Sequence, residues 1–455
     1  MPGARQNRMD VLFLSHVGYF SGGAEKSLLE LVKDCMRRRL KVHVLLPDKG
    51  EFYTILREAG VPCSIIAPAW WTLPVKSQER MHNANAIAHC TKLIQQLHPK
   101  VCVTNTAVTP PLAIASSLAG VPHFWMLREY GQSDHGFRFR MGDEKTYRLI
   151  SLLSDKIFCN SKALKKFYTQ RLRRQDIGVV YPYVAKPKGI KNPASSGGIP
   201  RLAIIGHVQE GKGQLDAVNA VALLKKQGLL VNLQIIGYVS SPKYYSRLKA
   251  AVKSLGISDA VEFLGQMSDP FGVASQADVG LVCSSNEAFG RTTLEFMYLG
   301  IPVVGSKSGG TAEIINDGKT GLLYASGNEA DLANKIKKLL ENKQLAQRLS
   351  RNAKAQVHKE FSINNAHKEF FESLDEYLAG KAKESLDLTI MNDLLELVSA
   401  KEKWWKNDRR MVKNELTKSH MIIQAMIEEN IQREDDKLFR AYKMMRGKKT
   451  DTPKP

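Results

Sequence analysis

Apolar residues in this chain gather in short unbroken runs rather than in strict alternation. Such runs occupy 10–15, 41–47, 61–66, 101–104, 122–127, 155–161 and 177–183. Between them, at 24–32, 51–59, 84–97 and from 109 to 119, apolar residues recur three and four apart. Short unbroken runs read as strands buried on both faces, as in parallel sheets; the wider spacing reads as amphipathic helices. The rhythm breaks at 184–200, VAKPKGIKNPASSGGIP, whose Pro, Gly, Ser and Lys mark a linker. It restarts at 201–205, 233–237, 261–264 and 277–282, with charged helices over 329–354. An α/β chain of two doubly wound domains is expected, over 9–183 and 201–360, with a helix at 361–378. Residues 380–455 are Gly-poor and mixed in charge, and predict a helical extension with a disordered tail, GKKTDTPKP.

In each domain the first strand runs into a glycine-rich loop. After 10–15 comes His16-Val17-Gly18-Tyr19-Phe20-Ser21-Gly22-Gly23, then a helix from Ala24. After 201–205 comes Gly206-His207-Val208-Gln209-Glu210-Gly211-Lys212-Gly213. A strand, a glycine loop and a helix form the phosphate-facing start of a doubly wound sheet, although neither loop carries a dinucleotide or Walker fingerprint. Lys212 in such a loop is a candidate phosphate ligand.

The densest chemistry lies at 284–314. Glu287 falls in the loop that ends the 277–282 strand, Gly290 opens a helix, and Glu295 lies one to two turns into it. Phe289-Gly290-Arg291-Thr292-Thr293 separates the two acids; Gly300-Ile301-Pro302-Val303-Val304 and a Gly309-Gly310 turn follow. A helix start offers unpaired N–H groups to an anion, and Gly290 lets a ligand approach the backbone. Carboxylates would repel phosphate but accept hydrogen bonds from hydroxyls. Together they fit a ligand with both phosphates and sugars.

This block resembles the retaining glycosyltransferases of family four, which have the GT-B fold: two Rossmann-like domains facing across a cleft. The family signature of two Glu, a Gly-x-Pro-Val strand and a Gly-Gly-x-x-Glu turn matches Glu287, Glu295, Gly300 to Val303 and Gly309 to Glu313. Gly22, Gly23 and Glu25 match its Gly-Gly-x-Glu loop, and Lys212-Gly213 its Lys-Gly step. The resemblance covers residues 10 to about 378 and implies that helix 361–378 crosses back to the first domain. Two positions depart from the family pattern. Arg128, before Glu129, stands where a His near the reacting sugar is common; it could clamp a phosphate or pair with Glu129. His207 stands where Arg is common and offers a weaker cation.

The resemblance implies transfer of a hexosyl group from a UDP-sugar or GDP-sugar to a glycan or lipid-linked acceptor in cell-envelope polysaccharide or glycolipid synthesis. Configuration would be retained by front-face attack, with no protein nucleophile. Glu295 would hold ribose hydroxyls and Glu287 sugar hydroxyls. Phe289, Gly290 and Thr292, with Lys212, Arg291 and the Gly23 loop, would stabilise the leaving diphosphate. Leu264 and Gly265 would border the nucleotide base. No Asp-x-Asp motif for a diphosphate-bound metal is present, so no metal cofactor is expected.

Composition changes this picture little. The formal net charge of +21 attracts anions, and allows peripheral contact with an anionic membrane without implying specific nucleic-acid binding. Six scattered cysteines lack zinc spacing and read as reduced thiols of a cytoplasmic protein, which could work at the inner face of the cell membrane. The start of the chain has no secretory pattern, and no apolar run is long enough to span a bilayer. Trp70-Trp71 could dock on a membrane or an acceptor sugar, or fold back onto its own domain. Phe137 to Arg140 could line an acceptor groove, touch lipid or be a solvated strand. The C-terminal helices could bind a protein partner. A nucleotide-sugar epimerase and a non-catalytic basic adaptor are the alternative functions.

Overall fold

The computed structural model describes residues 8–20, 22–66, 70–73, 83–184, 198–267 and 269–383. Most of the expected linker (185–197) and of the C-terminal extension (384–455) lies outside the described residues.

The first half runs β1 (Val11–Leu14), α1 (Gly23–Arg37), β2 (Val42–Leu46), α2 (Glu51–Glu58), β3 (Cys63–Ile65), β4 (Thr72–Leu73), α3 (Asn83–Leu97) and β5 (Val101–Asn105). It continues with α4 (Pro111–Leu118), β6 (His123–Leu127), α5 (Gln132–His135), β7 (Arg138–Phe139), α6 (Asp143–Leu152), β8 (Lys156–Cys159), α7 (Lys162–Leu172) and β9 (Ile177–Val179). The second half opens with β10 (Arg201–Ile205), α8 (Gln214–Lys226), β11 (Asn232–Ile236), α9 (Pro242–Ser254), β12 (Val261–Gly265), α10 (Pro270–Ala274) and β13 (Val279–Val282). Then come α11 (Arg291–Leu299), β14 (Val303–Ser306), α12 (Gly309–Ile314), β15 (Leu322–Tyr324), α13 (Glu329–Glu341), α14 (Lys343–Glu360), α15 (Ile363–Ala366) and α16 (Lys368–Leu378).

Two parallel sheets result. Their strand orders are β3-β2-β1-β5-β6-β8-β9 and β12-β11-β10-β13-β14-β15. Each starts at the third strand of its order, winds outward one way, then jumps back and winds the other way. β1, β2, β5, β6 and β13 are buried along their whole length, because helices cover both faces. In such a sheet the order reverses between β1 and β5, and between β10 and β13, which opens a crevice outside their carboxyl ends. Those two switch points place the site.

The last helix leaves the second domain. Phe370, Phe371, Leu374 and Tyr377 of α16 are buried with Val11, Phe13, Val44 and Phe124 of the first sheet. These side chains recur at helical spacing, so one face of α16 completes the first core.

One local reading changes. Gly309-Gly310 is the first turn of α12, not a free turn. An added Cβ would lie 2.2 Å from Glu287 O at Gly309 and 2.2 Å from Phe289 O at Gly310, so the glycines let α12 lie against the 287–289 backbone. The Trp pair folds back onto its own domain. Trp71 is fully buried, stacks on Trp125 and donates to Ala107 O; β4 beside it pairs antiparallel with β7. All six cysteines are free thiols. No described helix is long and apolar enough to cross a membrane.

Candidate active site

At the second switch point the loops after β10 and β13 meet. Lys212 Nζ lies 2.9 Å from Glu287 Oε2. Gly213, at φ +69°, packs against the Cys283 carbonyl, and Ser285 N donates to Gly211 O, so the loops are tied at the backbone as well. Burial opposes both charges. Their mutual attraction outweighs it: the Glu287 carboxyl is held below its usual range and the Lys212 ammonium above its own.

Just past Phe289 the chain enters α11 through Gly290, which caps it at φ +96°, a conformation that favours glycine. In the first turn of α11, Thr293 N donates back to Gly290 O at 2.9 Å, which leaves the amides of Arg291 and Thr292 without an intrahelical acceptor. Arg291 and Glu295 lie four apart on one face of the helix, 3.9 Å from each other.

Arg291 also crosses to the first domain. Its two terminal nitrogens reach Glu30 at 2.8 and 3.0 Å, and one of them reaches Ser27 at 3.3 Å. Gly23, Ser27 and Glu30 share one face of α1, and a Cβ on Gly23 would lie 3.3 Å from Arg291 Cδ. Burial works against the Arg291 charge, but Glu30 raises its pKa. Burial also raises the Glu295 carboxyl, opposed by Arg291 and Lys26.

The first switch point lies beside this contact. Gly22 N donates to Glu25 Oε2 at 2.7 Å, closing the start of α1. Asn105, at the end of β5, donates to Ala24 O and accepts from Arg128 Nε at 2.5 Å. Next to it Thr106 holds φ at 80°, a strained conformation for a β-branched residue. Arg128 and Glu129 do not pair through their side chains. Glu129 accepts from Ala107 N and from Arg128 N, while the Arg128 guanidinium turns to Asn105. Burial pushes the Glu129 carboxyl up to about 8 and draws Arg128 down to about 10.

At His207 burial, then the nearby Lys212, lowers the imidazole pKa and weakens it further as a cation, and Nδ1 lies 3.0 Å from Ser240 Oγ. Leu264 and Gly265 end the edge strand β12, where Gly265 O accepts from Gly237 N. Thr292 is half-buried in the first turn of α11.

Several residues at this junction carry no local signature. Glu30 and Ser27 are visible only as a polar stripe on α1. Asn105 is a polar residue at a strand end. Glu313 matched the family turn, but its contacts lie in the first domain: its oxygens accept from Lys162 N and Ala163 N at the start of α7, and from Tyr181 OH at 2.6 Å. Among the described residues no group of three or more His, Cys, Asp and Glu could hold a metal ion.

Comparison with known proteins gives this geometry its context. Residues 21–185 match the family model described as Glycosyltransferase Family 4, and residues 187–356 match Glycosyl transferases group 1. Among curated proteins, N-acetyl-alpha-D-glucosaminyl L-malate synthase of Bacillus anthracis is 29% identical over 160 residues, 35% of this chain and 41% of that protein. D-inositol 3-phosphate glycosyltransferase of Arthrobacter sp. is 34% identical over 145 residues, 31% of this chain and 34% of that protein. The chain thus spans less than half the length of either. Among solved structures, Anabaena HepE in complex with UDP has a TM-score of 0.65 at 23% identity, covering 81% of this chain and 100% of that one. Two family models that together match nearly all of residues 21–356, and a shared architecture, lead to one conclusion: the chain belongs to the family 4, group 1 glycosyltransferases and has the GT-B fold.

Proposed function

We propose that this protein transfers a hexosyl group from a UDP-sugar or GDP-sugar to a glycan or lipid-linked acceptor, with retention of configuration and without a metal. One observation carries the reading. The Lys212–Glu287 pair joins the two switch-point loops of the second domain beside the open amides of α11. A diphosphate reaching those amides would compete with Glu287 for Lys212. Its negative charge would draw the ammonium across and free the carboxylate to accept hydrogen bonds from sugar hydroxyls. As the sugar–phosphate bond breaks, charge builds on the leaving oxygen, where Lys212 and the helix amides stabilise it. The acceptor hydroxyl attacks from the same face and passes its proton to the departing diphosphate. Glu295 is assigned to the ribose, with Arg291 and the Gly23 loop closing over the phosphates from the first domain.

The relatives support a nucleotide-sugar donor: HepE has been captured with UDP and with UDP-glucose. The basic surplus of the chain fits an acceptor at an anionic membrane surface, in envelope polysaccharide or glycolipid synthesis. A panel of nucleotide-sugars tests the reading. A true donor at a hundred times its Kd adds about 2.7 kcal/mol of stability and raises the melting temperature. If no nucleoside diphosphate or nucleotide-sugar does so, the reading fails. With a donor in hand, NMR of the product reads the anomeric configuration, and turnover without acceptor would identify an epimerase instead.

A further inference from the structure

The cations of the cleft are not equivalent. Lys212 is neutralised by Glu287, and Arg291 by Glu30 in a two-pronged pair. Arg128 is different. It is 7% exposed, and its one hydrogen-bonded side-chain partner among the described residues is neutral, Asn105 Oδ1. The carboxylates around it are engaged elsewhere: Glu30 by Arg291, Glu25 by Gly22 N, and Glu129 by Ala107 N and the Arg128 amide. None of these lies within ion-pair distance of the Arg128 guanidinium. A buried charge left without a counter-ion is costly, and proteins keep one where a ligand supplies the missing partner.

Its place in the fold gives the direction of that ligand. Arg128 follows the carboxyl end of β6, and its Nε edge is fixed to Asn105, the last residue of β5. Asn105 is itself tied to Ala24 in the first turn of α1. The guanidinium therefore stands at the β1–β5 switch-point crevice, where Glu30 and Arg291 are among the charges that act on it. Its terminal nitrogens form a planar fork, which matches the two oxygens of a carboxylate or phosphate better than a lone hydroxyl. The diphosphate is already provided for by Lys212 and the α11 amides.

We propose that Arg128 is a specificity-determining residue that binds a second anionic group, a carboxylate or phosphate carried by the transferred sugar or by the acceptor. This rests on the glycosyltransferase reading above and narrows its substrate class: the reaction joins a sugar to a partner, and one of the two is acidic beyond the nucleotide. The enzyme that prepares that substrate would be of the class that oxidises a sugar's primary alcohol to a carboxylate, or phosphorylates a hydroxyl.

The test uses the full chain and calorimetry. UDP and GDP are titrated first, which settles the donor reading independently. On the donor arm, the uronate form of the matching nucleotide-sugar is compared with its neutral hexose form. On the acceptor arm, with nucleoside diphosphate bound, methyl glucuronoside and glucose 6-phosphate are compared with methyl glucoside. One arm should show the acidic ligand binding roughly ten- to a hundredfold tighter, the worth of a hydrogen bond to a charged group. Arg128→Gln should erase that preference, and Arg128→Lys should keep part of it. Equal binding of acidic and neutral ligands by the wild type on both arms overturns the proposal, even if neither variant folds. So does a preference that survives Arg128→Gln, or a parallel loss of UDP or GDP binding, which would make Arg128 a diphosphate ligand.

Discussion

Glu313 belongs to the second domain by sequence but binds the first. Its carboxylate accepts from the amides of Lys162 and Ala163, the opening residues of α7, and from the Tyr181 hydroxyl. Replacing it with Ala removes all three bonds. The Lys162 amide is exposed and can turn to water, so its loss costs little. The Ala163 and Tyr181 groups are partly buried, and each loses a charge-assisted bond worth about 1.5 kcal/mol at the low end. The lost anion at a helix N-terminus adds about 0.5 kcal/mol. Glu313→Ala is therefore expected to cost about 3.5 kcal/mol. α7 itself should survive, because Ser161 still caps it through Leu164 N at 3.0 Å. The loss should fall on the docking of the two domains. Urea unfolding measures the total, and X-ray scattering shows whether the domains separate before they unfold. Glu313→Gln, which keeps one strong acceptor, should lose about half as much. A double-mutant cycle with Tyr181→Phe should give a coupling of about 1 kcal/mol. The reasoning is refuted if Glu313→Ala changes stability by less than about 0.5 kcal/mol, the range of an ordinary surface substitution, and leaves the scattering profile unchanged.

Further outcomes are expected in kinetics, binding and stability. Lys212→Met should lower kcat by about a hundredfold or more, the cost of removing one preorganised charge from a leaving group, and Glu287→Ala should also depress kcat; steady-state kinetics with the donor found above would read both. Glu295→Ala should instead weaken donor affinity, and wild-type constants in both Glu variants would end these assignments. Gly310→Ala should disable the site, since its Cβ would sit 2.2 Å from Phe289 O and push α12 off the donor segment; loss of nucleotide binding by calorimetry checks this. Burial raises the Glu129 carboxyl from 4.5 to about 8, so the native state keeps a proton that the unfolded chain has released. That contribution to stability is complete below pH about 4.5, falls as pH rises and is lost once it passes about 8; Glu129→Gln should flatten the slope in urea unfolding measured across that range.

Much of the architecture was written locally. Strands buried on both faces need continuous apolar runs, so β1, β2, β5, β6 and β13 were legible as short apolar blocks. Gly290 before an apolar helix marked the start of α11, and the four-residue step from Arg291 to Glu295 put both on one face. Those signals depend only on backbone geometry within a turn or a strand. Local propensity misled at Gly309-Gly310, where the glycines serve a close approach to the 287–289 backbone instead of a turn. At Arg128-Glu129 the sequence left a phosphate clamp and a mutual pair both open: side chains that are neighbours at a strand end need not meet, and these two found separate partners.

Pairings across the cleft were decided only by the tertiary structure. Arg291 meets Glu30 from 261 positions away, and Glu313 meets Lys162 across 151. Ion pairs and hydrogen bonds reach only a few ångströms, so nothing in the local sequence encodes which distant group will fill that range. The order of the strands and the docking of two domains choose the partner. The chain by itself specified the two sheets, the glycine loops and the acids; folding decided which charges cancel and left Arg128 among neighbours already engaged.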